Sequence, residues 1–260
     1  MHKIAAALLV SLCFVSARPS SGQEITVAAA ADLQFAFQDV AAKFQKDTGH
    51  SVKLIFGSSG NFFTQIQNGA PFDVFFSADI DYPRKLDAAG LAETGTLYEY
   101  ATGKIALWVP SGSKLDLRHG LPVLLDSGVK KIAIANPEHA PYGRAAVAAL
   151  RHEGIYEKVA DRFVLGENIS QTASFVVSGN ADIGIVALSL AVAPALKDKG
   201  RYAEIPADEY PAIEQAAIVL KSSKQKETAR QFLDYLKTNP MKELLKSYGF
   251  AVAGDRPSTP

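Results

Sequence analysis

The chain has 260 residues, in which 27 Lys and Arg balance 27 Asp and Glu, and 48% of the residues are apolar. The net charge of zero argues against a dedicated nucleic-acid-binding protein and against a polybasic protein of membrane surfaces. The contents of glycine, proline and charged residues are ordinary for a folded soluble protein and exclude a disordered or fibrous one. At this length we expect one large domain or two small ones, with ample capacity for a buried core.

The amino terminus has the composition of a secretory signal peptide covering residues 1–17. A basic head, Met1-His2-Lys3, precedes an apolar run over 4–15 and a small-residue cleavage site at 15–17. The run is too short for a membrane-spanning helix. Cys13 raises the alternative of a lipoprotein anchor, but Leu12 stands where a lipobox requires a small residue. Cleavage after residue 17 removes this single cysteine, which suits an oxidising compartment.

From residue 24 onward, apolar β-type runs alternate with helical patterns, which is typical of α/β proteins. Strands are predicted at 25–30, 52–56, 72–76, 105–109, 132–135, 163–165, 183–187 and 216–220. Helical spacing of apolar residues begins at Leu33, with Gly49 ending that helix, and at Phe62, with Gly69 as the stop. Further helices are predicted at 83–89, 143–153, 171–178, 224–237 and 241–248. There is no linker rich in Pro, Gly or Ser, so two lobes require the chain to cross between them more than once. The polar stretches 98–104 and 205–215 are the candidate crossings.

Ligands of open α/β sheets bind beyond the carboxyl ends of the strands, against helix amino termini. This places the candidate site in four loops, 30–33, 57–61, 136–143 and 167–171. In Gly57-Ser58-Ser59-Gly60, exposed backbone and hydroxyls suit an oxyanion, while a plain helix N-cap is the simpler interpretation. Tyr142 stands between a stiff loop with two prolines and a helix, where it either faces a cleft or packs beneath the loop.

Catalytic motifs are scarce. The chain has no Gly-x-Ser-x-Gly elbow, no phosphate-binding Gly-x-x-x-x-Gly-Lys-Ser/Thr loop and no His-Glu-x-x-His pair. Asp79 and Asp81 have the spacing of metal ligands, but a turn leading into a helix is the favoured interpretation. A secreted hydrolase with Ser59 as nucleophile needs a base, and His139 is the only loop histidine near the predicted cleft.

Several of these segments, in this order, resemble the periplasmic molybdate-binding proteins of ABC importers, the ModA-type solute-binding family. The resemblance runs from Glu24 to about Val252. It is carried by ITVAAAADL at 25–33, GSSG at 57–60, QI at 65–66, NGAPFDVFFSAD at 68–79, NPEHAPYG at 136–143, ADIGIVA at 181–187 and YGF at 248–250.

The resemblance implies an α/β, two-lobed periplasmic-binding-protein fold. Each lobe would be a mixed, mainly parallel sheet flanked by helices, and crossover strands would join the two. Lobe one would contain residues 24–101 and 212–260, and lobe two residues 102–211, with the ligand cleft between them.

The function implied is that of a receptor and not of an enzyme. It would capture molybdate, and also tungstate, in the periplasm and deliver it to the membrane permease of an ABC importer. We expect a monomer with no cofactor and no nucleic-acid partner. A receptor for another tetrahedral oxyanion such as sulfate is the close alternative.

The family holds its oxyanion through the oxygens, with neutral N–H and hydroxyl donors and no direct protein–metal ligand. Carried over by position, the binding residues are Ala31, Asp32, Ser58, Ser59, Tyr142 and, through its N–H, Ile169. Many members have Ser in place of Asp32, whose carboxylate would repel a dianion. We therefore predict that Asp32 caps its helix with the side chain turned away. Ala187, where some members have a binding tyrosine, receives no role.

Overall fold

The computed structural model describes residues 22–252, so the predicted signal peptide at 1–17 lies outside the described part of the chain. The strands are β1 (Glu24–Ala30), β2 (Ser51–Gly57), β3 (Val74–Ser77), β4 (Tyr98–Gly103), β5 (Ile105–Pro110), β6 (Ile132–Ala135), β7 (Phe163–Gly166), β8 (Ile183–Ala187), β9 (Gly200–Glu204) and β10 (Ile213–Val219). The helices are α1 (Gln34–Thr48), α2 (Ser59–Gln67), α3 (Asp81–Ala88), α4 (Pro141–His152), α5 (Tyr156–Val159), α6 (Ile169–Val177), α7 (Leu188–Ala191), α8 (Lys226–Leu236) and α9 (Asn239–Ser247). Within 22–252, no helix has both the length and the apolar character needed to cross a membrane.

The strands form two mixed five-stranded sheets. The first has the order β2-β1-β3-β10-β4, and only β10 runs against the other four strands. The second has the order β7-β6-β8-β5-β9, and there β5 is the opposed strand. The expectation of mixed, mainly parallel sheets flanked by helices is confirmed.

The chain passes between the sheets at the two predicted crossings. A single residue, Lys104, separates β4 of the first sheet from β5 of the second. The return runs from β9 through residues 205–212 into β10. The first sheet is therefore built from two stretches of sequence, and the second from the single stretch between them.

Each sheet buries its own apolar side chains. In the first, Phe37 of α1, Phe76 of β3 and Phe232 of α8 pack edge to face, with Phe37 and Phe76 ring centroids 4.8 Å apart. Such contacts add to the stability that their buried area provides. In the second, Trp108 of β5 lies fully inside the core. The aromatic residues of the first sheet thus hold helices α1 and α8 against it.

The register of the parallel strands aligns their carboxyl-terminal ends. In the first sheet the last residue of β1, Ala30, pairs with the last of β2, Gly57. In the second sheet Ala135 of β6 pairs with Gly166 of β7 in the same way. The turns that follow these four strands therefore begin side by side.

The predicted elements match the observed ones closely, and the differences have local causes. Helix α4 begins at Pro141 and not at residue 143, because proline is well suited to a first helical position. Helix α6 begins at Ile169 because the side chain of Asn168 caps it, accepting a hydrogen bond from the Gln171 amide at 3.0 Å. Strands β4 and β9 were not predicted as strands, since both are partly polar.

Candidate functional site

The turns after β1, β2, β6 and β7 meet at one small pocket, which we call the central pocket. Its lining residues are Ala30, Ala31, Asp32, Gly57, Ser58, Ser59, Ala78, Ala140, Pro141, Tyr142 and Ile169. All six predicted site residues are among them, and all six are buried. The cavity volume is about 10 Å³, far below the roughly 300–1,000 Å³ of pockets that hold drug-sized molecules.

Helix amino termini face this pocket from both sheets. Ser59 opens α2, Tyr142 lies in the first turn of α4, and Ile169 opens α6. The first N–H groups of a helix have no partner within the helix, and the helix dipole adds partial positive charge at that end. The helix termini therefore bring partial positive charge and free N–H donors to the pocket without a cationic side chain, which is an arrangement suited to an anion.

Two serine hydroxyls of the GSSG turn differ in their hydrogen bonding. Ser58 occupies the N-cap position of α2 but makes no capping bond, and its Oγ is buried without a hydrogen-bond partner among the described residues. Ser59 Oγ accepts a hydrogen bond from the Ala78 amide at 2.9 Å, which leaves its own hydrogen uncommitted by that bond. Since buried hydroxyls are normally satisfied, the unpaired Ser58 Oγ indicates a missing partner in the pocket. The plain N-cap interpretation of this serine is wrong.

The prediction that Asp32 caps its own helix is also wrong. The helical turn after β1 is a three-residue 3-10 turn, Ala31–Leu33, whose N-cap position is Ala30 and which has no side-chain cap. Asp32 lies inside the turn, and its Oδ2 accepts hydrogen bonds from Tyr142 Oη at 2.9 Å and Gln215 Nε2 at 2.7 Å. The carboxyl group is not turned away from the other site residues: it contacts one of them directly.

The buried network around Asp32 extends to two residues that the sequence did not indicate. Gln215 Nε2 also donates to Tyr142 Oη at 2.9 Å, and Tyr100 Oη donates to Gln215 Oε1 at 2.7 Å. Gln215 is fully buried in β10. The predicted strand begins at residue 216, one position later, and so excludes Gln215; a glutamine within a buried strand is the signal that the sequence carries.

The ionisation of this network follows from its burial. Loss of solvent raises the pKa of Asp32 to about 6, although the hydrogen bonds from Gln215 and Tyr142 work in the opposite direction. Burial and the nearby Asp32 charge raise the pKa of Tyr142 well above its usual value. Tyr142 is thus neutral near pH 7, whereas Asp32 titrates close to it.

Hydrogen bonds across the pocket join turns of the first sheet to turns of the second. The pairs are Gly60 N–H to the His139 carbonyl, Asn61 to Glu167, Arg144 to Asp79, Ser189 to the Asp32 carbonyl and Ser170 to Gln34. At Gly60 the two backbones come so close that an added Cβ would lie 2.7 Å from the His139 carbonyl oxygen. The central pocket is therefore held shut from several sides.

The geometry does not support nucleophilic catalysis at Ser59. The His139 Nε2 atom lies 2.9 Å from the Glu167 carbonyl oxygen and 3.3 Å from the Glu167 carboxylate. Within residues 22–252, Ser59 Oγ is hydrogen bonded to the Ala78 amide and to no histidine. A base in reach of the hydroxyl is what such a mechanism requires.

Two other clusters of polar groups lie outside the lining of the central pocket. Asp79 accepts a hydrogen bond from the Asp81 amide at 2.9 Å, in the turn leading into α3, and pairs with Arg144. The turn interpretation of these two aspartates is therefore supported over a metal site. His152, Glu153 and Glu209 lie close enough together to hold a metal ion, but the first two are exposed and none lines the central pocket.

The raised pKa of Asp32 predicts an unusual pH dependence of stability. The folded-state pKa of about 6 exceeds the ordinary 3.8, so the folded state binds the proton more tightly and loses stability as the pH rises from about 4 to 6. The size of this loss is about 3 kcal/mol. The Asp32→Asn variant has no carboxyl group to titrate at this position and therefore lacks this loss. The difference in free energy of unfolding, variant minus wild type, should increase by about 3 kcal/mol between pH 4 and 7.5.

Urea unfolding of both proteins at several pH values measures this difference. Asp161→Asn, at an exposed position outside the pocket, is the matched control and should follow wild type at every pH. A difference between Asp32→Asn and wild type that does not change with pH would contradict a raised pKa.

Comparison with known proteins agrees with this architecture. Residues 25–251 match the family model described as bacterial extracellular solute-binding protein. The molybdate-binding protein ModA of Azotobacter vinelandii is 40% identical over 229 residues, 88% of this chain and 90% of that protein. ModA of Rhodobacter capsulatus is 37% identical over 246 residues, with 95% of each chain covered. The solved structure of the Azotobacter vinelandii periplasmic molybdate-binding protein superposes with a TM-score of 0.83 at 37% identity, over 88% of this chain and 99% of that one. The chain belongs to the family of bacterial extracellular solute-binding proteins, which bind solutes and are not enzymes.

Proposed function

We propose that this protein is the receptor that captures molybdate, and also tungstate, and delivers it to the membrane permease of an ABC importer. The observation that carries the proposal is the buried, unpaired Ser58 hydroxyl in a pocket formed by helix amino termini. The names of the ModA relatives support the choice of ligand. The protein acts in the periplasm as a monomer, without cofactor or nucleic acid, after removal of residues 1–17.

The chemistry of the lining residues supports a bare oxyanion as ligand. Among residues 22–252, no Lys, Arg or His lines the central pocket, so the donors that these residues offer are N–H groups and hydroxyls. Hydrogen bonds to a charged group contribute roughly 1.5–3 kcal/mol each, and the six residues Ala31, Asp32, Ser58, Ser59, Tyr142 and Ile169 offer several. Fixed neutral dipoles select an anion by its size and geometry, whereas an arginine would hold any anion of suitable charge.

The organisation of the chain supports capture by closure. In our proposal lobe one contains residues 24–101 and 212–260, lobe two contains residues 102–211, and the ligand lies between them. Ser58 and Ser59 belong to lobe one, whereas Tyr142 and Ile169 belong to lobe two. An anion in the pocket therefore joins the lobes, and its release requires that they separate.

Calorimetric titration tests the ligand directly. We expect molybdate and tungstate to bind with similar affinity, because the two ions are nearly the same size, and sulfate to bind more weakly, because it is smaller. Phosphate serves as a second competitor. Heat from sulfate or phosphate with none from micromolar molybdate would overturn the molybdate assignment and leave an oxyanion receptor of different selectivity.

The two serines provide a matched pair of variants. Ser58→Ala removes a hydroxyl that has no partner within the protein, so we expect molybdate affinity to fall about 10- to 100-fold with no loss of thermal stability. Ser59→Ala should lower both affinity and stability, because it also removes the acceptor of the Ala78 amide. Titration and thermal unfolding without ligand measure the two effects. Ser247→Ala, at an exposed position of α9, is the control. Wild-type affinity in both pocket variants would place the site elsewhere.

Gly60→Ala tests the role of closure. The new methyl group would press on the His139 backbone of lobe two, so the closed arrangement should be penalised and molybdate affinity should fall at least tenfold. The added Cβ would also lie 2.9 Å from Tyr82 Oη of lobe one, so thermal unfolding of the ligand-free variant is measured beside the titration to separate a loss of stability from a loss of affinity. Gln67→Ala, on the exposed side of the same helix, should leave affinity unchanged. Wild-type binding by Gly60→Ala would show that closure at this contact is not needed.

A further inference from the structure

The carboxyl group of Asp32 is the one feature of the central pocket that opposes an anion. It is 1% exposed, and while Oδ2 accepts two hydrogen bonds, Oδ1 has no partner among the described residues. A carboxylate and a dianion in one small, dry pocket repel each other strongly, because little solvent screens them. Either the charge of the Asp32 carboxylate is neutralised, or this carboxylate weakens the binding of the anion.

In the part of the chain that the structure describes, no positively charged side chain contacts the Asp32 carboxyl group. The 3-10 turn packs against α6 and α7, which contain no titratable residue, and against α1 and β2, whose charged residues are exposed. From α4 it faces Tyr142, and Tyr100 of β4 reaches it through Gln215. Arg144 of α4 pairs with Asp79 instead. The groups facing Asp32 are thus neutral hydrogen-bond donors.

We propose that the pocket takes up one proton together with each oxyanion, and that Asp32 holds this proton while the anion is bound. The inference rests on the proposed function only in requiring that the ligand be a tetrahedral oxyanion. The burial that already raises the pKa of Asp32 to about 6 makes the neutral form easy to reach.

The proton balance is simple. The carboxylate, one proton from solvent and the dianion give a carboxylic acid beside the dianion, and no covalent bond to the anion forms or breaks. A proton on Oδ1 turns the unpaired acceptor into a donor. A proton on Oδ2 is donated to Tyr142 Oη, so that the tyrosine hydrogen, which Asp32 otherwise accepts, becomes available to the anion. In both cases the site gains one donor and loses one negative charge.

Linkage gives the sign of the pH effect. Below about pH 6 the free protein already holds the proton, so binding takes up none and affinity is flat. The bound dianion raises the pKa of Asp32 further, so at higher pH each binding event takes up a proton. Affinity then falls by up to tenfold for each pH unit until the pKa of the bound state is passed.

The test is calorimetric titration of the purified protein with sodium molybdate at pH 7.5 in HEPES and in Tris, whose ionisation enthalpies differ. The dependence of the observed heat on the buffer gives the number of protons taken up. We expect wild type and Asp161→Asn to take up close to one proton for each molybdate bound, and Asp32→Asn to take up close to none. From pH 5.5 to 8.5 the affinity of wild type should fall, while that of Asp32→Asn stays flat and becomes at least tenfold tighter than wild type at the upper end.

The outcomes separate the two proposals. If wild type binds molybdate without proton uptake and without pH dependence, the role of Asp32 is overturned and the receptor function stands. Proton uptake by Asp32→Asn that equals that of wild type would have the same meaning. If wild type gave no heat with molybdate at any pH, the proposed ligand would fail instead. Should Asp32→Asn not fold, the carboxyl carbon resonance of Asp32 in ¹³C-labelled wild type provides the readout, and it should shift to the protonated position on addition of molybdate at pH 7.5. A resonance that stays at the ionised position in the complex would overturn the proposal.

Discussion

The uncommitted N–H groups at helix amino termini are the donors on which the central pocket depends. Any one such terminus binds an anion weakly in water, but several aimed at one enclosed point act together where solvent screening is small. The strand register brings them there: β1 ends beside β2 and β6 beside β7, so each sheet delivers two adjacent turns. Helix packing in the two cores then sets the directions in which α2, α4 and α6 point.

The same construction explains how a chain with no excess of basic residues accommodates an anion. A long polyanion needs many cations along a surface, whereas one small ion needs only enough donors to replace its water. In this pocket the donors are backbone and hydroxyl groups, and the single ionised side chain, Asp32, has the wrong sign. Neutrality of the whole chain therefore carried little information about the ligand, and the charge that matters is that of one buried carboxyl group.

The sequence predicted the local features and missed those that depend on distant partners. Strand ends, glycine turns and helix starts follow from neighbouring residues, and they predicted the four loops of the site. The six residues within those loops were taken from the resemblance to the ModA-type family, and all six line one pocket. The direction of the Asp32 side chain could not be predicted, because its partners Tyr142 and Gln215 lie 110 and 183 residues away. From neighbouring residues alone, a helix cap is the expected role of an aspartate at this position. In the structure, Asp32 instead forms tertiary hydrogen bonds with Tyr142 and Gln215. Gln215 was missed for the same reason, since nothing adjacent in sequence reveals what a buried amide contacts.

The network of Tyr100, Gln215, Asp32 and Tyr142 also determines what kind of event binding is. It joins β4 and β10 of the first sheet to α4 of the second, so the pocket has a closing hydrogen bond of its own, from Tyr142 to Asp32, without any anion. A tyrosine hydroxyl has one hydrogen to donate. If the anion receives that hydrogen, Asp32 must lose it, and a buried carboxylate deprived of a donor is costly. Binding is therefore an exchange of partners around Asp32 and not a simple addition of contacts, and a proton on this carboxyl group is what makes the exchange favourable.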